Sequence, residues 1–411
     1  MWIANSCHYH CTTYLDHTIM QKLRIIVGGF IGLFPTGGAT IDYIQYPLGL
    51  QRLGHDVYYI EDTGLYPVYQ QKEDSWGDAG ECITYLKGAM EFFGMMDRWA
   101  YRDVVSGKCF GITETRLKEI CATADVFINI SCSTIMRDEY LKIPHRILVD
   151  SDPMFTQIQV DQELNNLATT STHRLLKEHN YLFTFGENIG KPGCSIPTSG
   201  YNWIPTRQPI CMHLWKEPST PKYGFTSVLN WSGREKLQYN NEEWGQKDVS
   251  FAKFITLPGK VKNAEFEMVM NAPLQPEVNF DLSTLANNGW KVMNPKQMVP
   301  GYKEYMDFIM SSFAEFSIAK DTYVKSGSGW FSCRSACYLA SGRPVAAQDT
   351  GWTGYIPAGK GLLALSDMQS AVASVNEITA NYSIHSKTAR EIAAAYFDSD
   401  IVLNSMLNKL N

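Results

Sequence analysis

Several features that would assign this sequence to a partner or a compartment are missing. Its 36 lysine and arginine residues are outnumbered by 42 aspartate and glutamate residues, which gives a formal net charge of −6. A chain with that balance has no overall positive field to attract nucleic acid or an anionic membrane. No apolar run approaches the roughly 18–20 residues that span a bilayer. These absences disfavour nucleic-acid binding and membrane insertion, and they leave open only a local basic groove.

Paired cysteines and clustered histidines are also missing from the main part of the chain. The ten cysteines are scattered without a disulfide framework, which in 411 residues is typical of reduced thiols and favours the cytoplasm. The one concentration of possible metal ligands lies in residues 1–19, at Cys7, His8, His10, Cys11 and His17. Their spacing matches no zinc-finger pattern. We interpret residues 1–19 as an appended extension without a metal site.

What the sequence does contain is the composition of a folded protein. Hydrophobic residues make up 45%, aromatic residues 12% and charged residues 19%. At roughly 100–200 residues per domain, the length predicts two domains. Repeated prolines between Pro197 and Pro221 indicate a linker. The predicted organisation is a first domain over residues 20–215, a second over residues 222–390 and a C-terminal helix over residues 391–411.

Strands and helices alternate along the chain. A strand at residues 24–27 precedes a glycine-rich loop, a helix over residues 40–53 and a strand at residues 57–60, which together form a parallel crossover. The same start imitates a secretory leader read from Met20, but the downstream pattern favours the strand. Continuous apolar segments predict further buried strands at residues 125–130, 146–150, 181–185, 225–229, 265–270 and 344–347. The fold class is therefore α/β with doubly wound parallel sheets.

A glycine and serine turn leads into a helix in the second half of the chain. The turn is Ser326-Gly-Ser-Gly329, and the helix is predicted over residues 332–341. Backbone N–H groups at such a helix start, with Arg334 in the first turn, suit a phosphate or pyrophosphate. A polar segment, residues 348–351, follows the next strand, where ligands of parallel sheets bind. The alternative is a plain flexible loop beside a surface arginine.

This order of a glycine turn, a helix ending in Ala-Ser-Gly-x-Pro-Val and a polar loop resembles the donor-binding domain of GT-B glycosyltransferases. The N-terminal unit, from Gly28-Gly29 through Gly37-Gly38 to Gly54-His55-Asp56, is similar to their acceptor-binding domain. The resemblance covers about residues 22–411 and is greatest to bacterial family-1-like and spore-maturation-type glycosyltransferases. One position departs from the pattern. Many of these enzymes hold the nucleotide ribose with a glutamate where this chain has Cys337.

The resemblance implies two Rossmann-like domains that face a cleft, with the C-terminal helix crossing back to the first domain. A nucleotide-diphospho-sugar would lie mainly on the second domain, with Asp349 as the substitute ribose ligand. Ser232 and Lys247 follow the first strand of that domain and could contact the diphosphate or the sugar. The expected donor-binding residues are Ser232, Lys247, Lys325, Ser328, Gly329, Ser332, Arg334, Ser335, Asp349, Thr350 and Gly351.

On the first domain the resemblance places an acceptor loop next to the reacting carbon. Its glycines, which allow a close approach of the backbone, are Gly28, Gly29, Gly37 and Gly38. The spacing G-x-G-x-x-G is absent, which disfavours a dinucleotide site. An inverting transferase needs a base to deprotonate the acceptor hydroxyl, and the candidates are Asp42 and Asp62, with Asp152 a further one. A retaining mechanism needs no such base, and the sequence does not choose between the two.

Asp150-Ser-Asp152 after an apolar strand matches the Asp-x-Asp motif of metal-dependent GT-A glycosyltransferases. Because three-residue matches are frequent and this one lies in the first domain, we interpret both carboxylates as residues of the cleft rim. We expect neither a metal nor a resident cofactor.

The sequence therefore predicts a metal-independent glycosyltransferase that moves a hexose-type sugar from a nucleotide diphosphate to an acceptor hydroxyl. The expected partners are the nucleotide-sugar and an unknown acceptor, and neither nucleic acid nor a transmembrane segment is expected. Three alternatives stay open: a sugar-nucleotide epimerase of the same fold, a phage-type DNA glucosyltransferase, which the net charge disfavours, and a catalytically silent sugar-nucleotide-binding protein.

Overall fold

The computed structural model describes residues 22–67, 78–216, 220–231, 236–271 and 282–410. The predicted extension, residues 1–19, and the predicted donor ligand Ser232 lie outside these ranges. Within them, no helix is long and apolar enough to cross a bilayer.

The first domain is built on a sheet that, in the described part of the chain, has eight strands. They are β1 (Arg24–Gly28), β2 (Asp56–Glu61), β3 (Trp99–Arg102), β4 (Cys109–Gly111), β5 (Val126–Ile130), β6 (His145–Asp150), β7 (Tyr181–Thr184) and β8 (Trp203–Pro205). Their order is β4-β3-β2-β1-β5-β6-β7-β8, and all neighbours are parallel except β3 and β4. The winding reverses between β1 and β5, so the crevice at their carboxyl ends is where a ligand is expected.

Helices cover both faces of this sheet. They are α1 (Gly37–Arg52), α2 (Gly80–Phe92), α3 (Glu114–Thr123), α4 (Asp138–Leu141), α5 (Phe155–Leu164) and α6 (Thr172–Lys177). Ile25 and Val27 of β1 join the core under α1 and α2, whereas Ile26 between them joins the core under α3 and α4. Both faces are apolar because side chains alternate along a strand and each face is covered.

The second domain repeats the arrangement. Its strands are β9 (Tyr223–Asn230), β10 (Leu237–Tyr239), β11 (Glu242–Trp244), β12 (Phe266–Asn271), β13 (Trp290–Met293), β14 (Ser312–Ser317), β15 (Val345–Gln348) and β16 (Leu362–Leu365). The main sheet is parallel with the order β13-β12-β9-β14-β15-β16, and β10 and β11 form a separate hairpin. Its winding reverses between β9 and β14.

The second sheet is also covered by helices on both faces. They belong to the set α7 (Lys247–Ala252), α8 (Leu282–Asn287), α9 (Pro295–Met298), α10 (Tyr302–Ser311), α11 (Asp321–Lys325), α12 (Cys333–Ala340), α13 (Met368–Ala380) and α14 (Tyr382–Tyr396). The last helix, α15 (Ser399–Leu407), packs on α1 of the first domain. Short 3₁₀ turns occupy Met212–Leu214, Pro258–Lys260 and Trp352–Gly354. The buried strands predicted from apolar runs are all present, and the α/β fold class with two doubly wound sheets is confirmed.

The C-terminal helix crosses back to the first domain, but the prediction of one helix over residues 391–411 is wrong. The chain turns at Phe397 and Asp398, between α14 and α15. Helix α14 packs on α12 of the second domain, and α15 packs on α1 of the first domain. Asp398 caps α15 by accepting from the backbone N–H of Asp400 at 2.9 Å. Gly49 of α1 admits the close approach of α15, because a Cβ there would lie 2.5 Å from Leu403 Cδ1.

The predicted linker between Pro197 and Pro221 is partly ordered in the first sheet. Residues 203–205 form β8, which pairs with β7. A proline at position 205 is tolerated because β8 is an edge strand and its outer N–H groups need no partner. The proline-rich segment between Pro197 and Pro221 therefore contains an edge strand of the first sheet as well as a connection to the second domain.

Candidate functional site

The carboxyl ends of the two sheets face each other and are joined by direct contacts. Lys320 of the second domain forms an ion pair with Asp152 of the first at 2.8 Å. Trp330 Nε1 donates to the carbonyl of Ser151 at 3.1 Å. These contacts place the loops after β6, β14 and α11 at one cleft, and the two points of reversed winding open onto it.

Arg334, in the first turn of α12, spans the reversal point of the second sheet. Its Nε donates to Glu315 Oε1 at 2.6 Å and an Nη donates to Ser317 Oγ at 3.1 Å, while the other Nη donates to the carbonyl of Val228. Burial alone would lower its pKa, but the Glu315 carboxylate raises it above the ordinary value. A guanidinium has five N–H donors, so two remain for a ligand.

Two lysines add positive charge beside Arg334. Lys247 is the first residue of α7. The carbonyl of Gly245, two residues earlier, accepts from the backbone N–H of Thr322 at 3.1 Å. This bond holds the start of α7 beside the loop that contains Lys320. Lys247 forms no hydrogen bond or ion pair with a described residue. Burial lowers its pKa well below the ordinary value, and the charges of Arg334 and Lys320 lower it further. Such a cation gains most from an arriving anion.

The first domain places a carboxyl group opposite these cations. Asp42 lies in the second turn of α1, is half-buried, and its side chain makes no hydrogen bond to a described residue. Burial raises its pKa from 3.8 to about 7, and the charge of Arg334 limits the rise. A carboxyl with that pKa changes protonation near neutral pH, which is what a general base requires.

Asp62, the other predicted base, is placed as a structural residue. It is 1% exposed and accepts from Arg137 Nε and Nη at 2.5 and 2.7 Å, from Arg102 at 3.0 Å and from Tyr140 Oη at 2.8 Å. Both carboxylate oxygens are therefore engaged by protein donors. The network ties together the loops after β2, β3 and β5 and leaves no lone pair directed at a substrate.

The turn at Ser326–Gly329, predicted to cradle a phosphate, has no free N–H group. Its four N–H groups donate to the carbonyls of Thr322, Val324, Tyr323 and Thr350. Ser328 Oγ donates to Tyr323 O at 3.1 Å. The turn instead contacts the first domain, because Asn188 donates its N–H to Ser328 O at 3.0 Å and its amide to Gly327 O at 2.9 Å. Lys325 also points elsewhere and forms an ion pair with Glu242 of the β10–β11 hairpin at 2.6 Å.

Two predicted donor-binding residues, Ser332 and Ser335, lie at the start of α12. Ser332 is its N-cap, and the Ser332 hydroxyl makes no capping hydrogen bond. Ser335 Oγ donates to Ser317 Oγ at 3.1 Å. Together with Trp330 and Gln348 these serines line a small cavity at the carboxyl ends of β14 and β15. The cavity of about 10 Å³ has room for about one water molecule, and Ser335 is fully buried.

The polar loop after β15 is occupied by its own turn. Asp349 Oδ1 accepts from Gly351 N at 2.8 Å and Oδ2 from Thr353 Oγ1 at 2.8 Å. Thr350 Oγ1 donates to the Trp330 carbonyl at 2.6 Å. Gly351 adopts a φ of +97°, which only glycine takes easily. Asp349 therefore shapes the loop, and a role for it in ribose binding would require this turn to open.

The glycines of the predicted acceptor loop allow close packing. A Cβ on Gly28 would clash with Thr134 Oγ1, and one on Gly29 would lie 2.6 Å from Tyr59 Oη. Gly37 and Gly38 are not in a loop at all, since they form the first turn of α1 and face Tyr305 of the second domain. Glycine at position 37 allows α10 to approach this turn, because a Cβ there would clash with Tyr305 Cβ.

The glycine loop after β1 is closed to anions by a side chain of the protein. Glu61 accepts from the N–H groups of Gly32 at 2.5 Å and Leu33 at 3.0 Å. Burial raises the pKa of Glu61 to about 7 although these hydrogen bonds lower it. The place that a phosphate takes in a dinucleotide loop is thus filled by a carboxylate.

The Asp-x-Asp match does not form a shared metal site. Asp150 is buried and accepts from Thr156, Gln157 and Thr184 at 2.8–2.9 Å, while Asp152 is paired with Lys320. In the ranges that the structure describes, no three His, Cys, Asp or Glu side chains are grouped so as to hold a metal ion.

Cys337, at the position where the resemblance led us to expect a glutamate, is buried against the first domain. Its sulfur lies 4.0 Å from Gln45 Nε2 of α1. This face of α12 therefore packs between the domains.

Sequence reasoning missed Glu315, because β14 has the sequence Ser-Phe-Ala-Glu-Phe-Ser and its polar residues made a central strand difficult to recognise. It also missed Lys320, which lies in the loop after β14. It also missed Phe30 and Tyr43, which line the crevice of the first domain. The alternation of apolar and polar residues in β14 was the only signal that could have located Glu315.

No known protein family and no curated protein matches the sequence. Solved structures do match in fold. One is an alpha-glucosyltransferase in complex with UDP and a 13-mer DNA containing a HMU base, 10% identical over 95% of this chain and 100% of that chain, with a TM-score of 0.56. A second is HepE from Anabaena in complex with UDP and glucose, 11% identical over 94% of this chain and 99% of that chain, with a TM-score of 0.53. A third is sucrose-phosphate synthase from Thermosynechococcus elongatus, 11% identical over 95% of this chain and 99% of that chain, with a TM-score of 0.50. The chain has the fold of GT-B glycosyltransferases, as its sequence predicted.

Proposed function

We propose that this protein is a glycosyltransferase that moves a hexose-type sugar from a nucleotide diphosphate to an acceptor hydroxyl. The observation that carries the proposal is the pairing across one cleft of a cation cluster on the second domain with an unengaged carboxyl, Asp42, on the first. Inverting transfer from a nucleotide diphosphate needs both groups. The leaving diphosphate must be neutralised, and the incoming hydroxyl must lose a proton if the reaction inverts.

The cation cluster, defined as Lys247, Lys320 and Arg334, is proposed to bind the diphosphate. Lys247 is the main ligand, because no described residue pairs with it and an anion would restore its charge. Arg334 offers its two remaining N–H donors in a plane already fixed by Glu315. Ser332 and Ser335 lie at the adjoining helix start, where their hydroxyls and the N–H groups of α12 can contact a phosphate or the sugar.

Asp42 is proposed to accept the proton of the acceptor hydroxyl. Its raised pKa makes the carboxylate basic enough to take a proton and still ionised in part at neutral pH. Arg334, on the other side of the cleft, stabilises the ionised form. The reaction then proceeds by attack of the acceptor oxygen on the anomeric carbon, release of the nucleotide diphosphate and inversion at that carbon.

We propose that the reaction needs no divalent metal, since the cation cluster supplies the charge that a bound ion would otherwise provide. The donor complex should form equally well in magnesium and in an excess of chelator. A requirement for magnesium in donor binding would contradict this part of the proposal.

The experiment that tests the function is a thermal-shift screen with uridine, thymidine, guanosine and adenosine diphosphates. A ligand that binds only the native state raises the melting temperature by mass action. We expect a rise with one diphosphate, and its loss in Lys247→Gln. Lys253→Gln is the matched control, because Lys253 is an exposed lysine directly after the same helix. No rise with any diphosphate would contradict the donor site.

The same preparation separates the alternatives once the nucleotide is known. A transferase releases the nucleotide diphosphate from the sugar donor when an acceptor is present. Conversion of the donor into an isomeric sugar nucleotide without acceptor would favour an epimerase. Binding without either reaction would favour a silent sugar-nucleotide-binding protein.

A further inference from the structure

The described loops of the first domain at the cleft carry few basic side chains, and half of these are paired with carboxylates. In the described residues of these loops, the basic side chains are those of Lys108, Arg137, Lys191 and Arg207. Arg137 is bound to Asp62 and Arg207 to Glu187 at 2.5 Å, and Lys191 donates to Tyr355 Oη at 2.8 Å. Lys108 lies in the turn between β3 and β4, on the side of β3 away from the crevice. Among the described residues, this side of the cleft therefore offers a polyanion few cations, of which Lys191 is the exposed one towards the crevice.

The crevice between β1 and β5 has an aromatic wall instead. Phe30 directly follows β1, and its ring meets the rings of Tyr43 and Phe34 edge-on, with centroids 6.0 and 5.2 Å away. The Tyr43 ring covers the end of β1, since a Cβ on Gly29 would lie 3.0 Å from Tyr43 Cδ1. The Tyr43 hydroxyl lies close enough to Ser131, directly after β5, for that side chain to lower its pKa, although burial raises the pKa overall. All three rings are half-buried, so each keeps part of its surface accessible.

This wall stands next to the proposed base. Tyr43 neighbours Asp42 in α1, and the charge of Asp42 acts on the Tyr43 hydroxyl. A molecule with a flat or aliphatic body packed on Phe30 and Tyr43 would therefore hold a hydroxyl beside the Asp42 carboxyl. Aromatic rings contribute both apolar area and preferred stacking geometry to such contacts.

The rim of the crevice continues the apolar surface outward. Leu65 and Tyr66, after β2, are 51% and 63% exposed, and Ile135, after β5, is 41% exposed. The two loops touch, because a Cβ on Gly64 would lie 3.0 Å from Ile135 Cγ2. Exposed large apolar side chains on adjoining loops at a cleft mark a binding surface. We call Leu65, Tyr66 and Ile135 the apolar rim.

We infer that the acceptor is an uncharged small molecule with an aromatic or aliphatic body, bound on Phe30, Tyr43 and the apolar rim with its hydroxyl at Asp42. This inference rests on the proposed function and names the substrate class of its acceptor half. The small number of cations in the described loops argues against a nucleic-acid acceptor, although one of the similar structures contains DNA.

The test compares two probes that share a ring and differ in charge. The dissociation constants of 2-naphthol and 2-naphthyl phosphate are measured by titration calorimetry on the full chain saturated with its nucleotide diphosphate, with a 13-mer duplex DNA as a third arm. We expect 2-naphthol to bind at least tenfold more tightly than its phosphate ester, and DNA not to compete. Equal or tighter binding of the ester or of DNA, or no binding of 2-naphthol, would overturn the inference.

Variants locate the site. Phe30→Ala should weaken 2-naphthol binding about tenfold, and Ile135→Lys should reduce or reverse the preference over the phosphate ester. Ile384→Lys is the matched control, since Ile384 is 53% exposed on α14 and should leave both constants unchanged. Unchanged constants in Phe30→Ala and Ile135→Lys would place 2-naphthol elsewhere and reject this surface.

The thermal shift with nucleotide diphosphate is recorded on every variant, which shows that each one folds. It also separates the two proposals. If the diphosphate shifts the wild type but 2-naphthol does not bind, the acceptor inference fails and the transferase proposal stands. If no diphosphate shifts the wild type, the transferase proposal fails.

Discussion

The two sheets wind in the same way, with their order reversing beside β1 in one domain and beside β9 in the other, yet the side chains at the two reversal points differ in character. In the second domain the crevice is surrounded by the cation cluster and by serine hydroxyls. In the first domain it is lined by aromatic rings and a carboxyl, and the one anion-binding loop is filled by Glu61. Topology fixes where a ligand can bind, and the loop residues decide whether that ligand is an anion.

The largest effect is expected at Asp42, where the two sides meet. Asp42→Asn should lower kcat by roughly 10²–10⁴-fold, the usual contribution of a general base, and leave nucleotide binding intact. In the wild type the rate should rise with pH through about 7, where the Asp42 carboxyl loses its proton. Steady-state kinetics from pH 5.5 to 9 test this. A variant with an unaltered pH profile would assign the proton transfer to another group.

Asp42→Asn should also stabilise the protein above neutral pH. The unfolded chain ionises Asp42 near pH 3.8, whereas the folded chain does so near 7, so the wild type loses stability as the pH rises between these values. The asparagine variant has no such loss. The difference in free energy of unfolding should therefore be absent below pH 4 and largest above pH 7, as measured by denaturant titration.

Asp62 provides the opposite case on the same domain. Asp62→Asn removes the buried partner of two arginines and should cost about 3 kcal/mol of stability, at the lower end for a broken buried ion pair. Because both carboxylate oxygens are engaged away from the cleft, kcat per folded molecule should be unchanged. Urea unfolding together with kinetics well below the midpoint measures both quantities. A large fall in kcat without loss of stability would make Asp62 a participant in the reaction.

On the second domain the sharpest test is Lys247. Lys247→Gln should weaken nucleotide diphosphate binding about 10–100-fold, since a charge-assisted hydrogen bond contributes about 1.5–3 kcal/mol. Because burial and neighbouring cations depress the Lys247 pKa, affinity for the diphosphate should decline as the pH rises. Titration calorimetry at several pH values tests both effects. A pH-independent affinity equal to that of Lys253→Gln would remove Lys247 from the site.

The smallest effect is expected at the ion pair between the domains. Asp152→Asn frees Lys320 from its partner across the cleft and should change stability by about 0–1 kcal/mol, as for partly exposed pairs. Affinity for the diphosphate should rise about two- to fivefold, because Lys320 no longer has to leave a carboxylate. Calorimetry compares the variant with wild type. A fall in affinity would show that Asp152 itself supports the donor.

Much of this contrast could be predicted from the sequence, because it depends on local pattern. Continuous apolar runs located the central strands, and Arg334 and Asp42 were predicted as site residues from their positions after a turn and in a helix. The glycine and serine turn was misjudged for a physical reason. Its N–H groups are taken by Thr350 and neighbouring carbonyls, and Asn188 of the other domain packs on it, which are contacts that residue spacing does not encode.

Charge partners were equally hidden. Asp62 and Asp42 both follow motifs that suit a base, and only the fold shows that two arginines from distant loops surround one of them. Glu315 escaped notice because a single carboxylate in a short strand resembles a surface residue. Its burial makes sense once Arg334, nineteen positions later, is known to lie over the same strand.

The crossing of the C-terminal segment has a mechanical consequence. Ile210, on the way out of the first domain, donates its N–H to Phe397 O at 2.7 Å, and Ser399, on the way back, donates to Ile210 O at 2.8 Å. Both covalent connections between the domains therefore run side by side at one place. Two domains joined by adjacent, hydrogen-bonded connections are expected to move by hinge rotation about those connections, and less by shear. Any widening of the cleft would then be a rotation about this double strand, which returns Asp42 and Arg334 to the same alignment each time it closes.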